Sequence, residues 1–251
     1  MGPIFILSVR VLANRRRLLL IVLLAALPIG LAALVSATLS EDKSSNEEFI
    51  NVLLDGMLIA AIMPIVTMVT GTAAFGNDLE DRTLGYLVLK PISRLRIVLP
   101  KLLASVVVAG PLLMASGIIA TLLGASSMGA ALLVLDGSVQ AVVGVGVALF
   151  AGVVAYAAIF TWAGLVTTRA LAFALIYVFL WEGLISSYLG GVRYLSVRAY
   201  SLSILHGMDD RSFGPLDDRV IEFPAAIGGA VAVTVIFFWL TVRRLRRMDV
   251  P

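Results

Sequence analysis

The sequence predicts an all-α membrane protein with six transmembrane helices, an N-terminal amphipathic elbow helix and a cytoplasmic helix between spans 2 and 3. Three observations carry this prediction. Apolar residues make up 60% of the 251 residues and charged residues only 14%, whereas about 25% charged is usual for a soluble domain. Uncharged stretches recur that match the roughly 20 helical residues needed to cross about 30 Å of hydrocarbon. The charges between those stretches are also sorted by sign. Lipid offers no partner to backbone polar groups, so the stretches must be helices. The alternation expected of a membrane β-barrel is absent.

Residues 1–17 open the chain as an interfacial segment. Ile4, Leu7, Val11 and Leu12 recur at helical spacing, with Arg10 and Arg15–Arg17 at the membrane edge, as in a helix lying in the interface plane. It is either a topology anchor or an elbow packed on neighbouring spans. The first and second spans cover 18–39 and 56–76. The third, 99–124, breaks at Gly124-Ala-Ser-Ser-Met-Gly129. The fourth covers 139–166, and the fifth, 170–189, contains Glu182. The sixth, 223–242, runs into Arg243-Arg-Leu-Arg-Arg247. The outer loop 190–222 carries 4 basic and 5 acidic residues, with Tyr188, Tyr194 and Tyr200 in or beside it. These tyrosines suit the headgroup belt, and parts of the loop suit short amphipathic or re-entrant helices.

Orientation follows from the basic residues, which favour the cytoplasmic side. With six spans, 14 of the 19 basic residues fall on inner segments and 5 on outer ones. Both ends are arginine-rich, so an even number of spans is required. This places a multi-pass protein in the cell (inner) membrane with both termini cytoplasmic. The net charge of +3 then points to membrane lipid and gives no sign of nucleic acid. The absence of cysteine excludes disulfides, iron–sulfur clusters and thiolate chemistry. No cleavable signal peptide is expected, because the first apolar run continues into an acidic loop.

Residues 78–94 form a charged island between two apolar runs. Asn77 is a candidate cap, with Glu80 three positions on as its capping-box partner. Asp78, Glu80 and Asp81 would then occupy a first turn, where the helix dipole favours acids. Leu84, Leu87 and Val88 give an apolar face, Lys90 suits the last turn, and Pro91 ends the helix. Ser93 is placed to cap the next helix. The reading is a two- to three-turn cytoplasmic helix near 78–90. A plain loop would account for the basic residues here but not for the acidic opening.

The island and its flanks, acidic-x-Glu-x-Arg-Thr-Leu-x-Tyr-Leu-x-x-x-Pro-x-Ser-Arg and then Lys-Leu-Leu entering a span, resemble the permeases of ABC-2 exporters, ATP-binding-cassette transporters of the second type. In that family the segment between spans 2 and 3 is a coupling helix seated in a cleft of the ATPase subunit. Glu80, Arg82, Thr83, Leu84, Tyr86, Leu87, Pro91, Ser93 and Arg94 match the pattern. With Asp78 and Asp81 they are the candidate ATPase-coupling residues. Many relatives have Gly-Thr where this chain has Arg82-Thr83. The resemblance implies a separate ABC ATPase subunit that holds ATP and Mg, and a second permease copy or a sister permease. It also implies export, and leaves room for an extracytoplasmic partner at 190–222. No catalytic, cofactor or metal site is expected in this chain. The phosphate-loop pattern Gly-x4-Gly-Lys-Ser/Thr is absent, so ATP hydrolysis falls to the partner.

Within the spans, Gly144, Ala148 and Gly152 form a small-residue ridge of the kind that lets helices approach closely. It serves packing inside one subunit or a dimer interface, with the former favoured. Pro28, Pro64 and Pro111 should kink their spans. Glu182 lies about 18 Å along the fifth helix at 1.5 Å per residue. It is either a gate or substrate contact, or it marks a span that ends early near the interface, paired with Arg193 or Arg198. The second is favoured.

Two other classes compete. An integral membrane enzyme acting on lipid needs clustered acids or histidines at a membrane face. Asp209-Asp210 and Asp217-Asp218 near His206 are the nearest approach to one, and solvated charge explains them better. A secondary transporter would show inverted repeats and buried ionisable residues, and neither is evident.

Overall fold

A computed structural model describes residues 2–38, 49, 51–81, 83, 93–127, 138–167, 169–185, 190–208 and 220–247. Every regular element among them is helical. They are α1 (Gly2–Leu12), α2 (Arg15–Thr38), α3 (Leu53–Glu80), α4 (Leu95–Ser127) and α5 (Ser138–Val166). Helix α6 consists of Ala170–Ile176 continued by Tyr177–Ile185. A short 3₁₀ turn, Gly190–Leu195, leads to α7 (Val197–Met208), and α8 is Phe223–Arg246.

Helices α2, α3, α4, α5 and α8 are each long and apolar enough to cross a membrane. The chain is therefore a multi-pass membrane protein. The described part of α6 is shorter than a span; of the expected fifth span, 186–189 lie outside the described residues. Several helices overrun their predicted bounds: the second span of 56–76 is a helix from Leu53 to Glu80, and the third, 99–124, runs from Leu95 to Ser127. Hydropathy marks where lipid begins. The hydrogen-bond ladder continues through headgroup depth until something stops it.

The core is built around α5, which packs on α3, α4, α7 and α8. Leu149, Val153, Tyr156 and Phe160 of α5 are fully buried, whereas α2 turns Leu19, Leu20, Leu23 and Leu34 outward. Lipid is as apolar as leucine, so close packing rather than water exclusion holds such a bundle together. A Cβ on Gly71 would come within 2.8 Å of the Phe160 Cβ, and one on Gly164 would land on the Thr72 carbonyl oxygen. The Gly144–Ala148–Gly152 ridge faces this chain's own α7 and α3: Gly144 meets Leu205 and Met208, and Gly152 meets Ser201 and Met63. The ridge thus serves packing within one subunit.

These approaches give a direct test. Gly164→Ala should destabilise by about 2 kcal/mol, because the obstructing atom is backbone and cannot move aside. Gly228→Ala has open space around its new methyl and should not destabilise, gaining up to about 1 kcal/mol from the helix preference of alanine. Thermal unfolding of the detergent-purified variants checks both.

Several buried threonines are satisfied locally. Thr67, Thr72 and Thr121 donate to carbonyls four residues back, the usual solution where lipid accepts no hydrogen bond. Ser116 of α4 donates to the Ala25 carbonyl of α2 at 2.5 Å, a link between helices. Helices α2 and α4 continue through Pro28 and Pro111. At Pro64 the ladder responds: Leu53–Ile62, just before it, is wound as a wider π-type helix. Proline lacks the N–H that would bond four residues back, and a π-type stretch absorbs such a mismatch.

Candidate functional site: a charged strut and a buried carboxylate

At one end of the bundle, Phe75 of α3, Ile97 and Val98 of α4, Leu165 of α5, and Val242 and Leu245 of α8 pack into a common cluster. The island 78–94 leaves and re-enters the bundle at this end. Its opening differs from the expected capped helix. Asn77, Asp78 and Glu80 form the last turn of α3 rather than the first turn of a new helix. The Asp81 amide bonds the Asn77 carbonyl, and the Thr83 amide reaches back to the Asp78 carbonyl at 2.9 Å, closing the helix end. The capping-box reading of Asn77 and Glu80 is therefore corrected. Asn77 Oδ1 instead accepts from the Arg17 guanidinium of α2 at 3.2 Å.

Asp78 turns inward. Its Oδ2 meets Lys101 Nζ of α4 at 2.5 Å, with side-chain exposures of 22% and 7% respectively. Lys101 also donates to the Ala74 carbonyl and lies 4.7 Å over the Phe75 ring. An ammonium this deep needs all three contacts, because burying a charge without a partner costs several kcal/mol. The result is a strut joining the base of α3 to that of α4. Helix α1 packs beside it along α4 and α3. A cavity of about 80 Å³ under α1 is lined by Leu7, Ser8, Leu12, Asn77, Asp78 and Lys101, among others.

The other island residues divide by exposure. Glu80, Asp81, Thr83 and Ser93 are exposed and Arg94 is half-buried. Arg82, Leu84, Tyr86, Leu87, Val88, Lys90 and Pro91 lie outside the described residues. Ser93 sits just ahead of α4, where its backbone carbonyl accepts the Arg96 amide at 2.8 Å.

The second site is Glu182. It is buried within the protein, 1% exposed. Its Oε1 accepts from the Val197 amide at 3.0 Å and the Tyr177 hydroxyl at 3.2 Å, and its Oε2 accepts from the Ser196 hydroxyl. Ser196 also accepts from the Ala199 amide at 3.1 Å, so it caps α7 while holding the carboxylate. Glu182 thus sits at the N-terminus of α7, where unpaired amides and the helix dipole favour an anion. The Tyr156 hydroxyl of α5 is buried beside the carboxylate. Of the two expected partners, Arg193 and Arg198, the second is engaged elsewhere. Arg198 reaches Asp55 of α3 instead, at 3.3 Å, across 143 positions of sequence.

Among the described residues, no group of three His, Cys, Asp or Glu is placed to hold a metal. Asp209, Asp210, Asp217 and Asp218 lie outside the described residues. A family model described as ABC-2 family transporter protein matches residues 13–181. The chain belongs to the ABC-2 transporter family. No curated protein matches the chain as a relative.

The ABC-2 match takes in the island, both sides of the strut and all of α2–α5, and it stops one residue short of Glu182. A transport component of this family is not itself catalytic, in keeping with a site made of struts and caps. Sequence reasoning missed Lys101, Ser196 and Asp55 as functional partners, and it offered Arg198 to Glu182 where the structure gives it to Asp55. One signal was present: Ser196 stands immediately before Val197, Tyr200, Ile204 and Leu205, which recur at helical spacing, as an N-cap does.

Proposed function

We propose that this ABC-2 protein is the permease subunit of an ATP-driven exporter, with energy supplied by a separate ATPase that docks on the island 78–94. The observation that carries this reading is the strut. The island lies within the family match, and its base is tied by Asp78–Lys101 to α3 and α4 together. A push on the island is then delivered to two spans at once. Exposed Glu80, Asp81 and Thr83 supply the polar part of the docking face, and Leu84, Tyr86 and Leu87 its apolar part. Asp78 belongs to the lever.

Six crossings fit this reading. Helix α5 ends, through Leu165, in the same cluster as the C-terminal part of α8. The chain between them must therefore make one net crossing. We assign that crossing to α6, with α7 returning alongside α5 as a re-entrant helix. Ile176, Phe179 and Leu184 of α6 are 56–64% exposed, as lipid-facing residues would be. Arg17 and Arg243–Arg247 share the island's end of the bundle, consistent with both termini in the cytoplasm. Helix α1 then acts as an elbow, and a second permease copy or a sister chain completes the pathway.

Glu182 serves as the latch of the gate. It holds α7 through Ser196 and Val197, and Tyr156 stands ready as an alternative donor when α7 moves.

The docking claim is tested by co-expressing the chain with its ATPase and replacing Glu80, Leu84 and Leu87 with alanine. Co-purification should be lost and ATP-driven activity should fall about tenfold or more, while Glu80→Ala alone, at an exposed position, should shift stability by no more than about 0.5 kcal/mol. Retained co-purification with unchanged activity would refute it.

A further inference from the structure

Near its C-terminus α8 carries a stripe of Val235, Phe238, Trp239 and Val242 at i, i+3, i+4, i+7 spacing. With Leu95 from the first turn of α4, this stripe lines an open groove of about 540 Å³. Val235 and Trp239 are 59% and 53% exposed. Arg243, Arg246 and Arg247 close the end of the groove. All three are exposed, and none forms an ion pair among the described residues. Arg243 lies 4.9 Å over the Trp239 ring. That cation–π contact holds the guanidinium at the mouth of the groove instead of letting it swing into water.

Three like charges within two helical turns repel one another unless an anion sits among them. Guanidinium forks match phosphate oxygens, and tryptophan prefers headgroup depth. An apolar trough ending in three arginines is complementary to a molecule with a greasy tail and an anionic head. We propose that this groove binds one anionic phospholipid from the leaflet at the arginine end, with its phosphate on Arg243, Arg246 and Arg247. An acyl chain lies along Phe238, Trp239 and Val235. A zwitterionic lipid binds less well, because its ammonium meets the same arginines. Leu95 follows the island directly, so the lipid bridges the base of α4 to α8 at the point where docking force would enter. The proposal needs only the membrane placement and is independent of the ATPase reading.

Tryptophan quenching in lipid nanodiscs tests it. In a Trp162→Phe/Trp181→Phe background, Trp239 is the only tryptophan of the three in the chain. Phosphatidylglycerol brominated on its acyl chains should quench Trp239 at a several-fold lower mole fraction than brominated phosphatidylcholine. Each Arg→Gln change at 243, 246 or 247 should reduce that preference about fivefold, the weight of one cation near an anionic lipid surface. Arg15→Gln/Arg16→Gln, exposed at the same end on α2, should leave it intact. Equal quenching by both lipids, or a preference that survives loss of all three arginines, would overturn the site. So would a preference lost equally in the α2 control, which would mean diffuse surface charge. Should the triple variant fail to fold, Arg243→Gln alone carries the test.

Discussion

Glu182→Ala is expected to destabilise the detergent-solubilised protein by about 3 kcal/mol, because buried donors left without an acceptor cost roughly 1–3 kcal/mol each. The Ser196 hydroxyl and the Val197 amide lose their acceptor together, at a buried helix end. Glu182→Gln should cost only about 1 kcal/mol. Its amide oxygen can keep Val197 and Tyr177, and only the Ser196 proton is left unmatched. The order wild type, Gln, Ala in thermal unfolding is the expected result. An alanine variant as stable as wild type would show that α7 is held by packing alone. Transport separates the latch from a purely structural carboxylate. If Glu182→Gln folds normally and exports at the wild-type rate with its ATPase, Glu182 has no gating role.

The second large effect is expected at the strut. Asp78→Ala leaves Lys101 as a buried ammonium without its carboxylate, which costs about 3–5 kcal/mol for a buried pair. Because Asp78 retains 22% of its side-chain exposure, solvent screening places the effect at the low end of that range. Asp78→Asn/Lys101→Met, which removes both charges, should recover most of the loss. That rescue decides between two roles for Asp78. A docking residue would weaken ATPase binding at unchanged melting temperature, and the Lys101 substitution would restore nothing. A strut residue lowers the melting temperature, and the double variant restores it. On the proposed coupling role, the double variant should also couple poorly, with ATP turnover retained but activity reduced.

The membrane class and the long helices were legible because hydropathy is a property of each residue against lipid and adds along the chain. The ABC-2 family was legible because the island keeps residue order and spacing around a charged turn. The errors share one cause. Asn77, Asp78 and Glu80 look like a helix start when read locally, since acids and a capping residue suit an N-terminus. Lys101, 23 positions on, supplies a cation that lets the same acids end a helix. Arg198 likewise looked like the partner of Glu182 because the two are close in sequence.

The sequence alone determined the helical membrane fold, most of the spans, the sorting of charge and the family. Tertiary structure decided which polar groups meet. It turned Asp78 inward onto Lys101, buried Glu182 at the cap of α7, and sent Arg198 to Asp55. The reason is geometric. Where glycines bring α3, α5 and α7 into contact, helix faces lock in one rotation, and that rotation selects each charge's partner.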